Sequence, residues 1–140
     1  MKFWDTSAVV PLLVAEPETA RVRRLADDDP VIVTWWATRT ECVSALARLR
    51  REHAISADAE IRTRRLLAEL AAEWAEISAG TRVRDRAERL LSFHALRAGD
   101  AFQLAAALTW ARGEPAGRAF VSFDDRLRSA AAREGFDILP

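Results

Sequence analysis

Short apolar runs alternate with long amphipathic stretches along the whole chain, and that alternation is what most limits the fold. Runs rich in β-branched or aromatic residues stand at about Lys2 to Asp5, Val31 to Thr34, Trp74 to Ser78, Ala119 to Ser122 and Phe136 to Leu139. Each is too short for a helix and reads as a buried strand. Between them lie helical patterns: one from near Ser7, broken at Pro17, and one from about Glu18 to Leu25. Two long helices follow, the first with Cys42, Ala45, Leu46 and Leu49 on one stripe, the second with Leu66, Leu67, Leu70, Ala71 and Trp74. Further helices are expected from about Arg82 to Leu96 and from Asp100 to Arg112, with Gly99 between them and Gly113 as the stop, and around Leu127, Ala130 and Ala131, ended by Gly135. Strands separated by helices pair in parallel and need helices on both faces. The expectation is an α/β three-layer sandwich with a short, mainly parallel central sheet.

The chain has 140 residues, half of them apolar, and no linker divides it, so one domain spanning 1–140 is expected. It contains no run of roughly 18 uncharged apolar residues and no charged-then-apolar leader, which points to a cytoplasmic location. Cys42 is the only cysteine, so an internal disulfide and a cysteine-based zinc site are excluded, and its apolar stripe makes it a core residue. His53 and His94 fall near helix ends without metal-pair spacing and read as surface or C-terminal helix residues rather than ligands. Trp35 and Trp36 are adjacent, so both cannot face inward from one regular element.

Formal charge sums to zero, which excludes a global basic field for nucleic acid and leaves only a local patch. Lys2 is the sole lysine, so arginine supplies the rest of the positive charge. Arg62 to Arg65 and Arg82 to Arg89 are the candidate stretches for phosphate.

In open α/β sheets ligands bind beyond the carboxyl ends of the strands. That rule selects four acids: Asp5 after the first strand, Glu41 in the first turns after the second, Asp100 at the opening of the apolar helix, and Asp124 beyond the fourth strand. Four carboxylates brought together repel one another and recruit cations or protons. A hard divalent ion such as Mg²⁺ suits such oxygen ligands and the hydrolysis of phosphodiesters. Each acid also has an ordinary reading as a helix cap, and Thr38-Arg39-Thr40-Glu41 fits a capping box. Ser7 and Asp125 stand beside Asp5 and Asp124 as alternative caps, so capping does not require these particular acids.

Asp5-Thr6-Ser7-Ala8 after the first strand, Glu41 after the second, Asp100-Ala101 opening an alanine-rich helix, and Ser122-Phe123-Asp124 followed by Leu127 resemble the PIN-domain pattern. The compact length is similar to the VapC-type toxins of bacterial toxin–antitoxin pairs. The resemblance implies a Mg²⁺- or Mn²⁺-dependent endoribonuclease, dimeric and restrained by a small antitoxin threaded near Pro11 to Val14 and Trp35 to Leu49. It implies Asp5 and Asp100 as the direct metal ligands, Glu41 and Asp124 completing the pocket partly through water, and Thr6 and Ser122 as supporting hydroxyls. A PIN-like RNA-processing or binding module without a toxin role is the alternative, with loss of one of the acids as its signature. A haloacid-dehalogenase-like site is disfavoured because Ser7 stands where the second acid is needed, and a receiver domain because Lys2 is the only lysine. Neither GxGxxG nor GxxxxGK[ST] occurs, which removes the common nucleotide-binding folds.

Overall fold

The computed structural model describes residues 1–140. Five strands, β1 (Lys2–Trp4), β2 (Ile32–Trp35), β3 (Ala75–Ile77), β4 (Ala119–Val121) and β5 (Asp137–Leu139), form one sheet in the order β3-β2-β1-β4-β5. Every pairing is parallel, with Phe3 opposite both Val33 and Phe120. The helices are α1 (Thr6–Leu13), α2 (Thr19–Asp28), α3 (Thr38–Arg51), α4 (Ala57–Glu73), α5 (Thr81–Phe93), α6 (Ala98–Trp110) and α7 (Asp125–Glu134).

Side chains of a strand alternate between faces, and here the alternation divides the core in two. Phe3, Val33 and Phe120 pack with α5, α6 and α7, through Leu90, Leu104 and Leu127 among others. Their neighbours Trp4, Ile32 and Val121 pack on the opposite face with Val9, Val22, Cys42 and Leu67 from α1 to α4. The expected three-layer α/β sandwich is thus the observed one, and the residues at its centre are apolar because both faces are covered, while edge strand β3 exposes Ala75 and Glu76. Trp35 is 5% exposed and stacks on Phe102, whereas Trp36 is 57% exposed. No helix is long and apolar enough to cross a membrane.

Several boundaries differ from the sequence reading. β2 runs from Ile32 rather than Val31, and α5 stops at Phe93 because His94 is extended. α6 begins at Ala98, so Gly99 lies inside its first turn instead of separating two helices. The first-turn N–H groups have no intrahelical acceptor, and the Asp100 carboxylate meets the Arg97 N–H at 3.2 Å. His94 is the C-terminal cap of α5 rather than a surface residue: its ring is nearly buried and lies 2.8 Å from Glu134 Oε1, joining the ends of α5 and α7.

Candidate active site

The parallel strands all end on one side of the sheet, and the turns that follow them build a cleft of about 680 Å³ there. Asp5, Glu41, Asp100 and Asp124 all line it, delivered by four different helix starts. Neither histidine nor cysteine contributes to its wall.

Two of the four acids are also N-caps, and Asp100 accepts from the N–H of the α6 N-cap, Arg97. Asp5 is the N-cap of α1 and accepts from the Ser7 N–H at 3.1 Å, while Asp124 caps α7 and accepts from the Leu127 N–H at 2.8 Å. The expectation that Ser7 and Asp125 take over these caps is therefore corrected. Ser7 instead donates its hydroxyl to Asp5 at 2.5 Å, and Asp125 sits in the first turn of α7. Glu41 goes the other way. The capping box read at Thr38 does not form: α3 is entered from Ala37 without a side-chain cap, and Thr38 is buried. Glu41 accepts from the Thr6 hydroxyl and from Gln103 Nε2, the latter at 2.8 Å.

Capping and site roles are compatible because a carboxylate has two oxygens. Every protein hydrogen bond to Asp5 falls on Oδ2, from Ser7 N, Ser7 Oγ and, at 3.0 Å, Ser122 Oγ. Glu41 is held only by Oε2, Asp100 only by Oδ2 and Asp124 only by Oδ1. Each acid is thus anchored through one oxygen and keeps the other without a protein donor.

Asp5 is 5% exposed. Burial is the main reason its carboxyl is pushed up to about 6; the bonds from Ser7 and Ser122 pull it down, and the Glu41 charge adds a smaller upward push. The mutual crowding anticipated from the sequence is accordingly looser than expected. No group of three or more acidic, His or Cys side chains forms a ready-made cage for an ion. Carboxylate oxygens free of protein donors, with no histidine or cysteine beside them, still fit a hard divalent ion, since Mg²⁺ is usually bound by one or two carboxylates and retains waters.

The sequence assigns Ser7 and Thr38 capping roles that differ from their observed ones, and it does not single out Gln103. Ser7 ties Asp5 to the next segment by accepting from the Phe123 N–H at 2.9 Å. Gln103 and Thr38 form a buried polar contact beneath Glu41 at 3.2 Å. A glutamine one turn after Asp100 in the apolar stretch of α6 was the available signal for Gln103. The arginines lining the cleft are Arg48 and Arg51 of α3, not the Arg62–Arg65 or Arg82–Arg89 stretches. Of the former stretch, Arg64 is engaged by Glu60 at 2.7 Å.

Comparison with known proteins agrees with this architecture. The ribonucleases VapC45 and VapC49 of Mycobacterium tuberculosis are each 31% identical to the chain over 145 aligned positions, covering 99% of it and 94% of the relative. Among solved structures, M. tuberculosis VapC20, described as a Sarcin-Ricin loop cleaving toxin, superposes with a TM-score of 0.68 at 18% identity, over 93% of this chain and 95% of that one. FitAcB from Neisseria gonorrhoeae superposes at 0.71 and 16% identity, covering 100% and 97%. A toxin–antitoxin complex from Klebsiella pneumoniae gives 0.57 and 18%, covering 89% and 87%. The model of the PIN domain matches residues 2–133, nearly the whole length, and the chain therefore belongs to the PIN domain family.

Proposed function

We propose that this protein is a Mg²⁺- or Mn²⁺-dependent endoribonuclease, the toxin of a toxin–antitoxin pair, and that Asp5, Glu41, Asp100 and Asp124 are its site residues. The observation that carries this reading is the shared cleft: four acids from distant parts of the chain line it, each with one oxygen free of protein donors. The naming of two full-length relatives as ribonucleases supports the substrate class.

Asp5 and Asp100 would hold the ion, and Glu41 and Asp124 would complete the acidic pocket. When bound, the ion lowers the cost of generating a nucleophile from water and offsets charge on the phosphoryl oxygens. The chain's own residues prepare this. Ser7 and Ser122 fix Asp5 by one oxygen, and Thr6 fixes Glu41 in the same way. Arg48 and Arg51 on the wall supply positive charge for RNA phosphates in a chain whose net charge is zero. The protein acts in the cytoplasm as a homodimer and is restrained by a small antitoxin seated near Pro11 to Val14 and the exposed Trp36.

The test is RNA cleavage with and without Mg²⁺ or Mn²⁺, beside an Asp5→Ala variant. Metal-dependent cutting lost in the variant supports the nuclease, whereas absence of both cutting and divalent-ion binding favours a binding module. A growth arrest on expression, relieved by a co-expressed upstream reading frame, distinguishes a toxin from an RNA-processing enzyme.

A further inference from the structure

Gln103 is 1% exposed and sits on α6 among Ala101, Leu104, Ala105 and Ala106, where packing alone calls for an apolar side chain. Burying an amide is unfavourable unless it is hydrogen-bonded. Its Nε2 lies 2.8 Å from Glu41 Oε2, 3.0 Å from Thr6 Oγ1 and 3.2 Å from Thr38 Oγ1. These acceptors belong to α1 and α3, so one side chain ties three helices together behind the cleft wall. The carboxylate also decides which way the amide points, because the reversed orientation sets a carbonyl oxygen against Oε2. The arrangement leaves Gln103 Oε1 without a partner, a cost that a leucine or methionine at this place avoids.

We propose that Gln103 is a positioning residue for the carboxylate site. With Thr6 it holds Glu41 by Oε2 and keeps Oε1 available to the cleft. It also sets α6, which carries Asp100 one turn earlier, against α3, which carries Glu41. This inference rests on the metal-dependent reading above, and its action runs through Glu41 rather than through contact with the ion.

The test is Mn²⁺ binding to the RNA-free protein, followed by the electron paramagnetic resonance of unbound Mn²⁺ into the millimolar range. Wild type, Gln103→Met, Glu41→Gln and the double variant are compared. Gln103→Met keeps the length of the side chain and removes its donor, and it should weaken Mn²⁺ binding about tenfold, the scale seen when partners of metal ligands are removed. In the Glu41→Gln background the same change should add little, because the two groups act as one unit. Unchanged affinity in Gln103→Met, or an equal loss in both backgrounds, overturns the inference while leaving the nuclease reading intact. Absence of Mn²⁺ binding by the wild type overturns both. Should Gln103→Met fail to fold, as judged by circular dichroism, Gln103→Leu replaces it with the same expected outcomes.

Discussion

Ser122 Oγ and Asp5 Oδ2 lie 3.0 Å apart across 117 residues of sequence, joining the ends of two neighbouring parallel strands at the cleft. The same hydroxyl oxygen accepts from the Asp124 N–H at 3.1 Å, so one buried serine orients two of the four acids. Ser122→Ala should therefore cost about 1–3 kcal/mol in urea unfolding, the usual cost of leaving buried polar groups unpaired. Because the Ser122 bond pulls the Asp5 carboxyl down, the acid limb of the pH–rate profile should also move to higher pH. A variant with wild-type stability and an unmoved limb would contradict this account.

Asp5 makes metal-free stability depend on pH in an unusual direction. Its folded carboxyl titrates at about 6 against an ordinary 3.8, so the folded state binds the extra proton between those values. Stability falls as pH rises through that window, and the penalty is complete above it. Asp5→Asn, neutral at every pH, should be more stable than wild type by about 3 kcal/mol near pH 8 without divalent ions, from about two pKa units at 1.4 kcal/mol each. The difference should vanish near the ordinary carboxylate value. Thermal melts across the pH range in a chelating buffer decide it; equal stability at all pH values would rule it out.

Asp124 separates capping from charge. Asp124→Ala removes the N-cap of α7 and should cost about 1 kcal/mol. Asparagine is an equally good cap, so Asp124→Asn should keep the stability and lose the carboxylate charge. Both variants should cut RNA at least about tenfold more slowly, the scale of losing an electrostatic group at a reacting centre. Wild-type cleavage by Asp124→Asn would mean that the residue serves the helix alone.

Cys42 is fully buried beneath the site, and burial, helped by the charges of Glu41 and Asp5, pushes its thiol up to about 12. Native protein should therefore resist a thiol-specific disulfide reagent near neutral pH and react fully once unfolded. Rapid labelling of folded protein would show that the α1–α4 side of the core opens.

The layered fold was open to reading in the chain because its cause is local. Runs such as Val31 to Thr34 and Ala119 to Ser122 have nowhere to go but a sheet covered on both faces, and the stripe holding Cys42 and Leu46 is visible in its spacing. The places of the acids were also readable: Asp5, Glu41 and Asp124 lie where a strand passes into a helix, and Asp100 lies in the first turn after the α5–α6 connection. Tertiary structure alone decided what each carboxylate does with its two oxygens. Capping is a contact within one turn, and sequence shows it as a competitor to any site role. That Asp5 and Asp124 cap with one oxygen and leave the other, while Glu41 turns from its own helix to Thr6 and Gln103, depends on elements brought together from far along the chain. Which groups Ser122 and Gln103 bind cannot be read from spacing, since hydrogen bonds between distant segments leave no periodic trace. Local pattern determined the scaffold and the position of the acids. Long-range packing determined their orientation, their burial and which of their oxygens stay free.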